Sequence, residues 1–543
     1  MGLTLTENDS QSDIQSYLVG RLLDTFLRED LFSMLSQGTV QSAPPGHPEL
    51  SEHWLRYRWD EHRTWWIPLR GDTPLQKWRT AAPLVVEETS GRSLTTVEEV
   101  LAPALERVDE REALLQEVEC ALDHRQRTEN ARLKWFASEP SRNFQHWWQS
   151  LAFYERLASF HDHPYYPTAR AKVGLDGQAL RLYAPEFAPT FRLRWLAVPR
   201  QSFQGELPAH WPQDEHFLGV PVHPHTAPQL TLPDGAYWLT VDDWRVQPTL
   251  SVRTLSLVDH PDLHFKLPLF MRSLSFKNLR KIRPDTIADG HTVQQILARR
   301  VPTDCLLTDE STGFSVDGRA DLGVIVRRYP DLHNATVLPV AALLAPDPEG
   351  GTVLQQLIRT HFDDSEQAFF ETYLELTLRI HVDLWVRHGI ALESNQQNTL
   401  LVLEDKGCLK LLLKDNDAAR IFEKVAQTGA TFVDPCIPVD DWLPIAQMFI
   451  TITLQLNIMP LIEASSRPAH FYRIARQLLE KQLTHYASEQ VQASGIRAHL
   501  IDSPLHPVKY LFSAGTLFSK QRTGAADINK HYGLTGSNPL YHA

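Results

Sequence analysis

The chain has 543 residues, of which 43% are hydrophobic and 22% charged, and its formal net charge is −13. That length exceeds what one hydrophobic core supports and implies two or three domains of a soluble globular protein. The acidic balance leaves no basic surplus for phosphates, which excludes nonspecific nucleic-acid or anionic-membrane binding but not a local basic pocket.

The cysteines Cys120, Cys305, Cys408 and Cys436 are scattered, with no CxxC pair. Neither a zinc site nor a disulfide framework is expected, and a reducing, cytoplasmic setting fits. The N-terminal segment lacks the charged-then-apolar order of a signal sequence. No apolar run is read as reaching the roughly 20 residues that span a bilayer.

Taken in chain order, residues 13–36 place Leu18, Leu22, Leu23, Phe26 and Leu27 on one helical face, and SAPPGHPEL at 42–50 ends that helix. A second helical block over 93–157 is rich in Glu, Arg and Leu and is interrupted at Pro140. Residues 1–158 therefore read as a mainly helical N-terminal domain. From 159 to 350 the texture changes to frequent prolines and short β-branched or aromatic runs, such as FRLRWLAV, HFKLPLF and LGVIVRRY. This is the pattern of a mixed, sheet-containing middle domain. LAPDPEGG at 344–351 reads as the boundary loop. Residues 351–543 form a C-terminal, mostly helical domain. It opens with a helix that is acidic near its start and capped by Gly389. The fold class is α+β and multidomain.

Inside the last domain, TLLVLE and CLKLLLK flank Asp405-Lys406-Gly407, which predicts a β-hairpin over 399–413. If pairing centres near Lys406, residues whose numbers sum to about 812 lie opposite each other. Asn398 then faces Lys414, and Gln397 faces Asp415. The amides of SNQQN and the acids of KDND meet at the open end of one rigid ribbon, as in many small-molecule sites.

Four basic or hydroxyl-bearing stretches in the middle domain are candidates for the other wall of such a site. HDHPYYPTARAKVGL (161–175) reads as an anion-contacting loop, with Arg170 and Lys172 on one face of an extended chain. GVPVHPH (219–225) holds His223 in a rigid turn, for which a structural role is equally plausible. In TLSVRTLSL (249–257), Ser251 and Arg253 alternate with apolar residues, so both are expected on one strand face, suited to a phosphate oxygen. HFKLPLFMRSLSFKNLRKI (264–282) carries Lys266, Arg272, Lys277, Arg280 and Lys281, a cationic run fit for a polyanion such as a nucleotide or polycarboxylate. No Gly-rich phosphate loop is present, so any nucleotide is held by side chains.

In order, HPYYPTARAKVG, VPVHPH, SVRT, FKLPL with a downstream Arg, and HGIALESNQQNTLL with KDNDAAR are similar to the motif series of IucA/IucC-type siderophore synthetases. These NRPS-independent enzymes join citrate or a related polycarboxylic acid to an amine or alcohol. The resemblance covers roughly 145–543 and implies a hand-like fold of thumb, fingers and palm, with ATP and Mg²⁺ between fingers and palm. It implies that Ser251, Arg253 and Lys266 contact ATP phosphates, with Thr168 and Arg170 near them. It gives Asp415 to the Mg–nucleotide with Asp417 assisting, and Arg280 to a bridge between substrate carboxylate and phosphate. Gln397 is its substrate-side amide, and His163 and Asn395 are candidates beside it. Arg253, Lys266 and Arg280 would stabilise the adenylation step. Members of the family are often homodimers.

The chain departs from the family pattern at Tyr166 and Asn395, where the family has histidines, and at His225 and Thr226, where it has Trp and Gln. Arg170 and Lys172 are swapped in order, and the spacing from Lys266 to Arg280 is longer than usual, with Ser275 as the hydroxyl counterpart. Two other readings stay open. One is a non-catalytic homologue that binds nucleotide or carboxylate. The other is an aminoglycoside-type kinase, which would need an Asp where Ile390 follows His388-Gly389.

Overall fold

The computed structural model describes residues 7–44, 49–71, 75–205, 211–241, 244–404, 408–487, 493–524, 531–541 and 543. The hairpin turn Asp405-Lys406-Gly407 lies outside the described residues.

The N-terminal part starts with the helix Glu7–Arg28, whose Leu18, Leu22, Leu23, Phe26 and Leu27 are buried as the periodicity requires. It stops short of residue 36 because Asp30, Phe32 and Ser33 take positive φ values of 44, 59 and 60° and turn the chain. Further helices run over Arg111–Phe136 and Trp147–Ser159, and the break around Pro140 is where the pattern put it. Between them, however, residues 39–94 form a six-stranded sheet that the mainly helical expectation missed. Its long strands, His53–Arg58 and Thr64–Gly71, pair antiparallel and pack Leu55, Tyr57, Trp65 and Ile67 against the first helix. Charged residues interleave with these, including Arg56, whose ion pair with Glu88 spans 2.6 Å, and they blur the two-residue period.

The middle part is built on a seven-stranded sheet. Its strand Leu263–Lys266 lies between Thr254–Leu257 and Val324–Arg328, and Asp309–Val316 pairs with the latter.

In the C-terminal part, the Ser365 hydroxyl caps the helix Glu366–Val386 by accepting the Ala368 N–H (3.1 Å). Gly389, at φ 64°, turns the chain into the region before the hairpin. The hairpin strands Thr399–Leu403 and Leu409–Leu413 pair in the expected register, Thr399 opposite Leu413 and Leu403 opposite Leu409. Leu401, Leu411 and Leu413 join the main helical core, whereas Leu400, Val402 and Leu412 pack with Trp147 and Tyr329. Burial on both faces explains why the ribbon reads as continuous apolar runs rather than an alternation.

One continuous helical stretch, Leu443–Glu463, is long and apolar enough to cross a membrane, which corrects the expectation that no such run exists. It serves as a core helix, with 89% of its apolar stretch buried inside the fold. Its middle, Phe449–Ile458, is wound as a π-helix.

Candidate active site

The seven-stranded sheet and the mouth of the hairpin face one another across a cavity of about 410 Å³. From the sheet side come Ser251, Arg253, Lys266 and Arg280, and from the hairpin side Asn395, Gln397, Asp415 and Asp417.

Lys266 ends its strand almost fully buried and reaches Asp415 Oδ1 at 2.5 Å and Asp417 Oδ2 at 3.3 Å. Ser251 and Arg253 are not on a strand, contrary to the alternation argument. They sit in the turn between Arg245–Pro248 and Thr254–Leu257, where Val252 takes φ 65°. A β-branched residue in the left-handed region is strained, and such strain clusters at functional sites. The Ser251 hydroxyl accepts the Thr254 N–H (3.2 Å), and Arg253 Nη1 donates to the Lys281 carbonyl (2.8 Å). Arg280 donates from Nε and Nη2 to the Ser273 hydroxyl (2.9 and 2.7 Å).

On the hairpin side, the Lys414 N–H donates to the Asn398 carbonyl (3.1 Å), closing the ribbon as the register predicts. Asn395 Oδ1 accepts the N–H groups of Gln397 and Asn398 (2.9 and 3.0 Å), an Asx-turn that shapes the loop. Its oxygen is thereby occupied, and its amide NH₂ is the group left for a ligand. Asp415 adopts φ 60° and ψ 51° and donates its N–H to Glu310 Oε1 (2.9 Å). Asp417 follows in a tight turn against the helix Pro284–Leu297. Gly290 permits that approach, since a Cβ there would lie 3.1 Å from the Asp417 Cβ.

The electrostatics distinguish two kinds of cation. Burial works against the charge on Lys266, but Asp415 and Asp417 outweigh it and hold its pKa above the ordinary value. Burial likewise would raise Asp415, but Lys266 and Arg327 hold it well below the carboxylate range. Arg253 and Arg280 differ. Among the described residues neither has a carboxylate at ion-pair distance, and burial pulls both down, Arg280 to about 10. Two half-buried guanidinium groups without a carboxylate at ion-pair distance thus stand at the cavity wall, a chemistry suited to anionic oxygen. Burial also lowers His163 to about 3, so it faces the cavity as neutral imidazole, its Nδ1 accepting the N–H of Tyr165 and of Tyr166.

Other expected residues lie elsewhere or are already engaged. Thr168 is buried and donates to Glu117, whose second oxygen accepts from Thr516 (2.7 Å), so it belongs to a packed hydroxyl–carboxyl cluster rather than the cavity. Arg170 borders the cavity, but its guanidinium is taken by Asp162 (2.6 Å), Glu186 (3.5 Å) and the carbonyls of Ser159 and Phe160. Of the cationic run, only Lys266 and Arg280 line the cavity. Arg272 and Lys281 lie over the Phe276 and Phe270 rings, and Lys277 binds the Ala514 carbonyl (3.1 Å). Ser275 donates to the Gly515 carbonyl (2.7 Å), and Ser273 takes its place beside Arg280. His223 is fully buried among Tyr183 and Phe191.

The structure also brings in residues the motifs did not single out. Glu393 and Lys509 line the cavity beside Asn395, and burial raises the Glu393 carboxyl. Arg327 and Glu310 stand behind Asp415. Arg327 could have been found, since a cation in the apolar run GVIVR must have a buried partner. Asp415 and Asp417 offer hard carboxylate oxygens at one wall of the cavity, a donor set that fits Mg²⁺ held jointly with substrate phosphates. Among the described residues, no three carboxylates, histidines or cysteines are grouped to hold a metal by themselves.

Residues 150–345 match the sequence profile of the IucA / IucC family, and residues 367–523 that of the ferric iron reductase FhuF-like transporter family. Rhizobactin siderophore biosynthesis protein RhbC of Rhizobium meliloti is 27% identical over 306 residues, covering 47% of this chain and 52% of that protein. Aerobactin synthase of Escherichia coli is 27% identical over 319 residues, covering 47% and 53%. The match thus spans about half the length of these curated relatives. The fold extends further. The petrobactin biosynthesis protein AsbB of Bacillus anthracis superposes with a TM-score of 0.75 at 16% identity, over 99% of this chain and 98% of that one. ATP-bound aerobactin synthetase IucA of Klebsiella pneumoniae gives 0.72 at 16% identity, over 97% and 99%. Residues 150–345 thus carry the IucA / IucC profile, and the whole chain shares the multidomain fold of the siderophore synthetases it resembles.

Proposed function

We propose that the chain is an ATP-dependent ligase that activates a polycarboxylic acid, citrate or a relative, as its adenylate and joins it to an amine or alcohol. The observation that carries this reading is the single cavity with Ser251, Arg253 and Lys266 on one wall and Asn395, Gln397, Asp415 and Asp417 on the other. The ATP-bound state of a structural neighbour and the siderophore-related names of the relatives support the same substrates.

In the proposed reaction, a carboxylate oxygen of the acid attacks the α-phosphorus of ATP and pyrophosphate leaves. Arg253 and Lys266 stabilise the charge that gathers on the phosphoryl oxygens, and Arg280 holds the attacking carboxylate beside them. Gln397 and the Asn395 amide donate to the remaining carboxylates of the acid. A bound Mg²⁺ would neutralise the phosphates, with Asp415 and Asp417 as its protein ligands. The amine or hydroxyl then attacks the acyl carbon, loses its proton, and AMP departs. Holding both partners in one cleft supplies much of the acceleration.

An ATP–pyrophosphate exchange screen with citrate, 2-oxoglutarate, succinate and their monoamides tests the reading. Exchange with at least one acid, and AMP rather than ADP once an amine is added, is the expected result. Silence with every acid favours a non-catalytic homologue, and ADP would favour a kinase.

A further inference from the structure

Asp415 has two cationic partners of opposite character, and the difference assigns a role to residues outside the cavity. Its Oδ1 accepts a hydrogen bond from Lys266 Nζ at 2.5 Å and forms an ion pair, without hydrogen-bond geometry, with Arg327 Nη2 at 2.8 Å. Lys266 lines the cavity at the end of a flexible stem, whereas Arg327, 2% exposed, is absent from the cavity wall. Arg327 is fixed from behind by Glu310, whose Oε1 accepts its Nε (2.8 Å), the Thr308 hydroxyl (2.9 Å) and the Asp415 N–H (2.9 Å). One carboxylate oxygen therefore gathers the guanidinium and the backbone of a residue that sits in the left-handed region, where a non-glycine must be held by its surroundings.

We propose that Glu310 and Arg327 are a positioning pair that keeps Asp415 in place when an incoming phosphate draws Lys266 away. The inference rests on the nucleotide-binding part of the function proposed above. Lys266 spans Asp415 and Asp417. When it turns to a phosphate oxygen, both carboxylates lose that partner and become available to a divalent cation. Asp417 is then released, but Asp415 keeps its fixed guanidinium and its pinned backbone. The pair thus makes Mg²⁺–nucleotide binding, rather than nucleotide binding alone, depend on residues that touch neither ligand.

The test is calorimetric binding of ATP to the full chain, with and without Mg²⁺. The double variant E310Q/R327M avoids leaving a lone buried charge. It is expected to melt cooperatively, to bind metal-free ATP as the wild type does, and to lose at least tenfold of the affinity gained from Mg²⁺. R327K keeps the charge but cannot bridge Glu310 and Asp415 with a planar fork, so it loses at least threefold. An unchanged Mg²⁺ gain in the folded double variant, or an equal loss of metal-free ATP binding, overturns the proposal. Should the double variant not fold, R327K decides by the same two criteria. A wild-type chain that binds Mg–ATP but exchanges pyrophosphate with no acid would sink the ligase reading and leave this test intact. One that binds no nucleotide would sink both.

Discussion

Two clusters of charge line one cavity in this protein and differ in how their cations are paired. Around Arg170, the carboxylates of Asp162 and Glu186 and two backbone carbonyls engage the terminal guanidinium nitrogens, and Lys172 pairs with Glu186 as well. Around Asp415, Lys266 is shared between two acids, while among the described residues Arg253 bonds a carbonyl and Arg280 a hydroxyl. Both clusters border the same cavity. What separates a structural clamp from a receptor is therefore not the presence of buried arginine but whether its charge is already neutralised.

That contrast can be broken experimentally, and the clamp is expected to give the largest change in stability. Arg170→Met leaves Asp162 with Arg125 and Glu186 with Lys172 as their remaining cations, and the loss of the shared guanidinium should destabilise the fold by about 3 kcal/mol. Denaturant unfolding measures this, and the ATP affinity of the remaining folded protein should be unaltered. At the receptor the pattern inverts. Lys266→Met should leave stability nearly intact, because Arg327 still faces Asp415, but lower the rate of pyrophosphate exchange by about 100- to 1,000-fold. Arg280→Gln removes one charge-assisted contact to the acid and should raise the KM for the acid about tenfold or more, with a smaller change in that for ATP.

The smallest effect concerns pH. Burial lowers His223 to about 3 and His381 to about 4, and both lie away from the receptor. The unfolded chain protonates these histidines near 6.5 while the folded chain keeps them neutral, so it binds fewer protons between those values. Stability should be complete above about pH 6.5 and decline as pH falls towards 4, and His381→Gln should flatten that decline. Melting temperatures across the range would check it, and a decline equally steep in the variant would contradict the assignment.

Much of the palm side was legible because its signals are local. A strand pairing with a fixed number sum follows from one turn, and Thr399 does stand opposite Leu413. Helix Glu366–Val386, its Ser365 cap and Gly389 follow from equally local rules. The finger side was less legible where three-dimensional context overrides a repeat. TLSVRTLSL alternates like a strand, yet positive φ at Val252 makes its first half a turn. Thr168 and Arg170 stand within two residues of each other in a basic motif, but distant Glu117, Asp162 and Glu186 claim them. No spacing rule reveals Glu310, whose importance arises only when strand Asp309–Val316 is laid beside the hairpin's end. The sheet over 39–94 escaped because its exposed arginines and glutamates interrupt the apolar rhythm.

The π-winding of Phe449–Ile458 carries a consequence for how this core tolerates change. A wider turn advances the side chains by a different angle from an α-turn. Here Ile452 and Leu456 reach the cavity, while Asn457 donates to the Ser394 carbonyl (2.9 Å) and the Thr399 hydroxyl (3.1 Å), anchoring the root of the ribbon. Removing a single residue from this stretch would let it relax to tighter coils. The anchor would then rotate out of reach, uncoupling the amide loop from its support without altering any residue in contact with ligand.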